Sequence, residues 1–209
     1  MTREEAFVKE CVDRVMNELG YVEVGVSNHH IHLSQADFFQ LFGRGATLTK
    51  LKDLKQPGQY AAKECIAVEG PKGRFDKVRI LGPLRSATQL ELSVTDGFRI
   101  GVKPPVRESG VLDASPGLTL VGPAGSVQIP QGAIAALRHV HMPKEYADRH
   151  GFIDREIVSV AVPGDRGGQM DHVLLRVSPN FAMEMHVDVD EANGFSLTTG
   201  SYVKIIKRG

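Results

Sequence analysis

The apolar residues of the chain change their spacing once. Between residues 2 and 19, Phe7, Val8, Cys11, Val12, Val15, Met16 and Leu19 recur every three or four positions. That period lines them up as one stripe along an α-helix. Thr2 followed by Glu5 predicts a capping box at its start, and Gly20 predicts its end. Such a stripe suits a helix packed on the chain's own core, or one offered to a partner. From Tyr21 onward the period falls to two. Strands are predicted at 21–26, 78–81, 89–94, around 121, and at 127–129, 157–162, 173–177, 185–189 and 202–206, with Gly and Pro between them. Many short strands separated by turns indicate a barrel or a sandwich. Short helices are predicted at 35–42 and 144–150.

The pattern also repeats. Val26-Ser27-Asn28-His29-His30-Ile31-His32-Leu33-Ser34 resembles Ala136-Leu137-Arg138-His139-Val140-His141-Met142-Pro143, and both run into a predicted helix. Val78-Arg79-Ile80-Leu81-Gly82-Pro83 resembles Leu174-Leu175-Arg176-Val177-Ser178-Pro179. Each is followed by an alternating strand ending in acid, which puts Glu91 in the place of His186. The expected organisation is a helix over 1–20, a first β-rich half over 21–125 and a second over 126–209, with strands free to exchange between the halves.

Charge and composition then narrow the class. Lys and Arg number 25, Asp and Glu also 25, so the chain lacks the basic footprint of a nucleic-acid or anionic-membrane binder. No apolar run is long enough for a membrane span or a secretory signal, so a cytoplasmic protein is expected. Cys11 and Cys65 are too few for a disulfide framework. Lys50, Lys52, Lys55, Lys72, Lys77 and Arg79 gather positive charge in the first half, as a polyanion-binding patch or as a solvated face.

The candidate chemistry lies in the histidines. Each half carries a His-x-His pair and one later candidate ligand: His30 and His32 with Glu91, and His139 and His141 with His186. On a strand, residues two apart point to one face with Cα atoms roughly 6.5–7 Å apart, so two imidazoles converge on one ion. A third donor from a neighbouring strand completes the set and leaves positions open for substrate or water. Imidazole and carboxylate suit Zn²⁺ best. If the halves face one another, the two ions form a dinuclear site. His29 must point away from His30 and reads as structural; His150 and His172 read as solvated loop residues. Arg85, in the turn before the strand of Glu91, reads either as a surface residue or as a clamp for a tetrahedral oxyanion.

Taken together, the residues from Val24 to the end resemble the PduL-type phosphate propanoyltransferases. The resemblance rests on the 24–34 segment, Gln56-Pro57-Gly58-Gln59, Val78 to Pro83, Arg138 to Met142, His186 and Asp190-Glu191-Ala192-Asn193. It implies a mainly β fold of two related β-barrel domains capped by short helices. It implies a phosphotransacylase that interconverts acyl-CoA plus phosphate with acyl phosphate plus CoA. It implies two zinc ions per chain, one on His30, His32 and Glu91 and one on His139, His141 and His186. Arg85 matches the family's phosphate-binding catalytic arginine. Val26, Ser27, Asn28, Lys52, Gln59, Arg79, Leu81 and Asn193 match its CoA contacts. Members housed in bacterial microcompartments often carry an amphipathic N-terminal helix, which gives residues 2–19 shell or core proteins as expected partners. A homo-oligomer is the expected assembly.

Competing expectations stand beside this one. His139, His141 and Glu145 have a cupin-like spacing with His186 as the last ligand, which would hold one ion and leave His30, His32 and Glu91 unexplained. A zinc-dependent acyl-CoA thioesterase would use the same residues with water in place of phosphate. A microcompartment scaffold would use the metals for stability alone.

Overall fold

The computed structural model describes residues 2–207. In chain order its elements are α1 (Arg3–Glu18), β1 (Tyr21–Ser27), β2 (His30–His32), α2 (Gln35–Phe42), β3 (Lys50–Asp53), β4 (Tyr60–Glu69), β5 (Arg74–Gly82), β6 (Gln89–Glu91) and α3 (Val94–Ile100). There follow β7 (Val106–Arg107), β8 (Leu118–Val121), β9 (Ser126–Ile129), β10 (Ala133–Ala136), β11 (His139–Pro143), α4 (Lys144–His150) and β12 (Ile157–Val162). The last are β13 (Gly168–Ser178), β14 (Glu184–Asp188), α5 (Val189–Phe195) and β15 (Tyr202–Ile206).

Contacts divide the chain into two compact units. The barrel unit joins the residues up to Val26 to those from Arg138 onward, and the sheet unit is the continuous segment Ser27–Leu137. Thus β1, which the repeat assigns to the first half, belongs with the second. It pairs antiparallel with β15, Tyr21 against Lys204 and Glu23 against Tyr202. Its other edge meets β14, and the order β1-β14-β11-β13-β12-β15 closes on itself. Without β1 both β14 and β15 would expose unpaired backbone, which closure removes. Inward residues at period two fill this barrel, among them Val22, Val24, Val140, Met142, Val158, Val160, Leu175, Met185 and Val203.

The sheet unit is a nine-stranded half-barrel, ordered β7-β10-β6-β2-β5-β4-β8-β9 with β3 on β4. Ile31, Leu33, Phe38, Leu41, Ile66, Ile80, Leu90 and Leu120 form its core. Both units contain the same module. A His-x-His strand lies between one parallel and one antiparallel neighbour. In the sheet unit β2 sits beside β5, His30 against Arg79, and beside β6, His30 against Glu91. In the barrel unit β11 sits beside β13, His141 against Arg176, and beside β14, His139 against His186.

Two predicted strands are shorter than their alternation suggests. Those expected to reach 94 and 189 stop at Glu91 and Asp188 and turn into α3 and α5. Ser93 Oγ accepts from Asp96 N, and Asp188 forms a capping box with Glu191. A polar cap with an acid three residues on outweighs the alternating pattern there.

The predicted capping box of α1 is present between Thr2 and Glu5, but no residue of this helix is buried. Phe7, Val8, Val12, Val15 and Leu19 lie exposed. The helix is held instead by polar contacts. Lys9 pairs with Glu23 at 2.7 Å, Tyr146 Oη donates to Asn17 O at 2.7 Å, and Arg149 pairs with Glu18 at 2.7 Å. The alternative of a helix packed on its own core by the apolar stripe is therefore overturned.

Candidate functional site

In the sheet unit His30 and His32 share a face of β2, and β6 brings Glu91 against them. One donor atom from each lies within 4.8 Å of the others. His30 Nδ1 is 2.9 Å from Asn28 O, and His32 Nδ1 is 3.2 Å from Leu81 O. A carbonyl only accepts, so each Nδ1 carries the proton and each Nε2 keeps its lone pair for an ion. Glu91 Oε2 lies 3.4 Å from His30 Nε2. Its other oxygen accepts from Gln89 Nε2 at 2.6 Å and from Ser109 Oγ at 3.2 Å. Gln89 is itself fixed, because Gly110 N donates to its Oε1 at 2.7 Å. Burial, helped by His30 and Arg85, pulls the pKa of His32 down to about 3. The imidazole is neutral at pH 7 and available as a donor.

In the barrel unit His139 and His141 share a face of β11 with His186 opposite on β14. Their donor atoms also fall within 4.8 Å of one another. The rings of His139 and His186 stack at 5.0 Å, and those of His139 and His141 meet edge-on at 4.7 Å. His141 Nδ1 is buried without a hydrogen-bond partner. Burial first, then His139, His186 and Arg176, lower the pKa of His141 to about 2. Three converging imidazoles, one with a buried ring nitrogen left unpartnered, form a donor set that a cation would complete. Both donor sets, imidazole alone and imidazole with carboxylate, fit Zn²⁺.

Arg85 lies in the turn between β5 and β6. Its backbone N–H donates to Leu33 O at 2.9 Å, and its Nη1 is 3.4 Å from Ser109 Oγ. Ser109 thus touches both the guanidinium and Glu91. Arg85 and Ser86 line one open groove of about 630 Å³ with Ser34, Gln35, Ala36 and Phe39 from the start of α2. Asp37, in the same turn, is occupied by Ser34 Oγ and Thr88 Oγ1. A guanidinium beside the first turn of a helix suits a tetrahedral anion.

The other predicted contacts separate. Ser27 Oγ is 3.1 Å from His30 Nδ1, and Asn28 and Leu81 supply the carbonyls already described. Arg79 Nη1 donates to the carbonyls of Ala62 at 2.9 Å and Lys63 at 2.8 Å, which anchors one arm of its guanidinium on β4. Lys52 is exposed on β3, and Gln59 is half-buried just before β4. Val26 and Asn193 belong to the barrel unit, Val26 N donating to Thr199 Oγ1 at 3.1 Å. His29 pairs with Asp96 at 3.0 Å and stacks on Phe75, a structural role. His150 ends α4 and His172 sits in β13, so neither is the loop residue expected. The cupin-like set is overturned. Glu145 is on α4 with its side chain 87% exposed, and it pairs with Arg149 instead of joining the cluster.

Sequence reasoning missed Gln89, Ser109, Arg176 and Glu184. Gln89 and Glu184 each stand two residues before a candidate ligand on the same strand face, a signal that was available. Ser109 comes from a loop with no such pattern.

The family model for phosphate propanoyltransferase matches residues 23–198. Among similar proteins, the phosphate propanoyltransferase of Rhodobacter capsulatus is 50% identical, over 96% of this chain and 99% of that protein. That of Thermotoga maritima is also 50% identical, over 96% of this chain and 95% of its own. That of Rhodopseudomonas palustris is 52% identical, over 90% of this chain and 83% of its own.

Proposed function

The chain belongs to the phosphate propanoyltransferase family, and we propose that it interconverts a short-chain acyl-CoA plus phosphate with the acyl phosphate plus CoA. Propanoyl-CoA is the substrate proposed, with acetyl-CoA as the smaller alternative. The observation that carries this reading is Ser109, which ties the anion-type groove at Arg85 to the metal-type cluster at Glu91. A zinc ion is proposed in each unit, on His30, His32 and Glu91 and on His139, His141 and His186. Bound there, zinc supplies a Lewis acid that favours thiolate over thiol and polarises a thioester carbonyl.

The protein's own residues do the rest. Arg85 and the first turn of α2 hold phosphate and aim one oxygen at the acyl carbon, which replaces a chance encounter by proximity. That oxygen forms the new C–O bond, the C–S bond breaks, and CoA leaves as the thiolate. The same cationic surroundings stabilise the oxyanion formed on the way. Asn28 and Leu81 hold His30 and His32 through their Nδ1 atoms, while Gln89 and Ser109 hold Glu91. Ser27, Asn28, Lys52, Gln59 and Leu81 are the proposed CoA contacts of the sheet unit.

The deciding experiment is thiol release from propanoyl-CoA, with and without phosphate, before and after chelation. Release that needs both phosphate and metal supports the transferase. Release without phosphate makes the protein a thioesterase, and no release from either acyl-CoA leaves a scaffold role.

We further propose that α1 offers its exposed stripe to microcompartment shell or core proteins, in a cytoplasmic homo-oligomer. A fluorescent protein carrying residues 1–20 should be drawn into microcompartments. The same fusion with Phe7→Ser and Val15→Ser should stay outside, and equal uptake of both would refute the proposal.

A further inference from the structure

We propose that Glu184 is the anionic member of the barrel-unit metal centre, a positioning residue that binds the cation more tightly by supplying the charge its three histidines lack. This rests on the assignment of His139, His141 and His186 as ligands.

The strand registers place it. On β11 and β14, His139 faces His186 and His141 faces Glu184. On β2 and β6, His30 faces Glu91 and His32 faces Gln89. The same four-position patch therefore occurs in both units. Each patch holds one carboxylate, at two neighbouring positions of the equivalent strand, Glu91 in the place of His186 and Glu184 in the place of Gln89. In the sheet unit the carboxylate is the third ligand, and the amide of Gln89 donates to it at 2.6 Å. In the barrel unit the third ligand is an imidazole, and the residue two before it is the carboxylate. Glu184 Oε2 lies 3.0 Å from His186 Nε2, with its side chain 13% exposed.

Charge explains the exchange. Three neutral imidazoles leave a dication uncompensated in a largely buried site, where unbalanced charge is costly. Arg176, facing His141 from β13 with its Nη1 3.5 Å from His141 Nε2, adds to that positive charge. Glu184 offsets both, as Glu91 does in its own unit. A carboxylate against a ligating imidazole also fixes the ring.

The neighbouring backbone makes room for this carboxylate. A Cβ at Gly25 would stand 2.7 Å from Glu184 Oε1. Gly25 lies within strand β1 and has no left-handed φ, so open space, and not backbone freedom, is what the glycine provides there.

The test uses the full chain and zinc in competition with a chromophoric chelator. Wild type should bind two equivalents. Glu184→Gln should bind one of them about 10- to 100-fold more weakly and leave the other unchanged, the usual effect of removing a carboxylate partner from a ligating histidine. With Co²⁺ in place of zinc, the visible absorption of that one site should change. Gly25→Ala, which pushes the carboxylate aside without removing it, should weaken the same equivalent, and it decides the matter if Glu184→Gln does not fold. Two unaltered affinities and an unaltered Co²⁺ spectrum in the folded variants would overturn the role of Glu184 alone. Wild type binding no second equivalent would overturn the metal assignment beneath it as well.

Discussion

Arg85→Ala is expected to lower phosphate-dependent thiol release by about 10²- to 10³-fold, the range for removing a single preorganised group that stabilises a developing charge. The guanidinium lies where an incoming anion would meet the first turn of α2, and Ser109 links it to Glu91. Its loss should therefore fall on the phosphate side of the reaction. The apparent affinity for the acyl-CoA should stay within about threefold, since an interaction used by one substrate leaves uniform binding of the other intact. Zinc content should be unchanged. Arg85→Lys keeps the charge but loses the planar fork, so it should restore only part of the rate. Steady-state kinetics with phosphate and propanoyl-CoA varied separately make the distinction. An equal loss on both substrates would remove Arg85 from phosphate binding.

His32→Ala should have a still larger effect. His32 is buried to 3% exposure, and its Nδ1 is anchored on Leu81 O, so the substitution removes a fixed, preorganised donor. The variant should lose one of two zinc equivalents. Turnover should drop by at least about 10³-fold, because Lewis-acid stabilisation is worth several kcal/mol and about 1.4 kcal/mol is tenfold. Chelation of the wild-type protein should give the same loss, reversed by added zinc. Metal analysis beside a turnover assay checks both. A variant that keeps full activity with one zinc fewer would make the sheet-unit cluster structural.

Much of this site was legible in the sequence because strand geometry is simple. His-x-His at period two fixes a shared face, and the order of the repeated pieces paired Glu91 with His186 before any register was known. The registers His30 against Glu91 and His139 against His186 bear out that equivalence. The three predicted helices, α1 from its cap and spacing and α2 and α4 after the two His-x-His copies, also appear where they were expected. Other features were hidden for physical reasons. The alternation of Leu90, Leu92 and Val94 masked the cap at Ser93 that starts α3. β10 is too short and too rich in alanine to stand out, yet it pairs in parallel with β6 and backs Glu91. Ser109 joins Arg85 to Glu91 from a loop, where only tertiary structure decides position.

The pairing of Tyr21 with Lys204 sets an order on synthesis. The sheet unit is one uninterrupted stretch, so it is complete for folding while later residues are still in the ribosome. The barrel has to wait, because its first strand closes against its last. Apart from Glu23 on β1, the side chains described as holding α1 come from that same late portion of the chain, namely Tyr146, Arg149 and Tyr202. Until they emerge, α1 is tethered to no folded part of the chain, and its apolar stripe stays on display while the sheet unit folds.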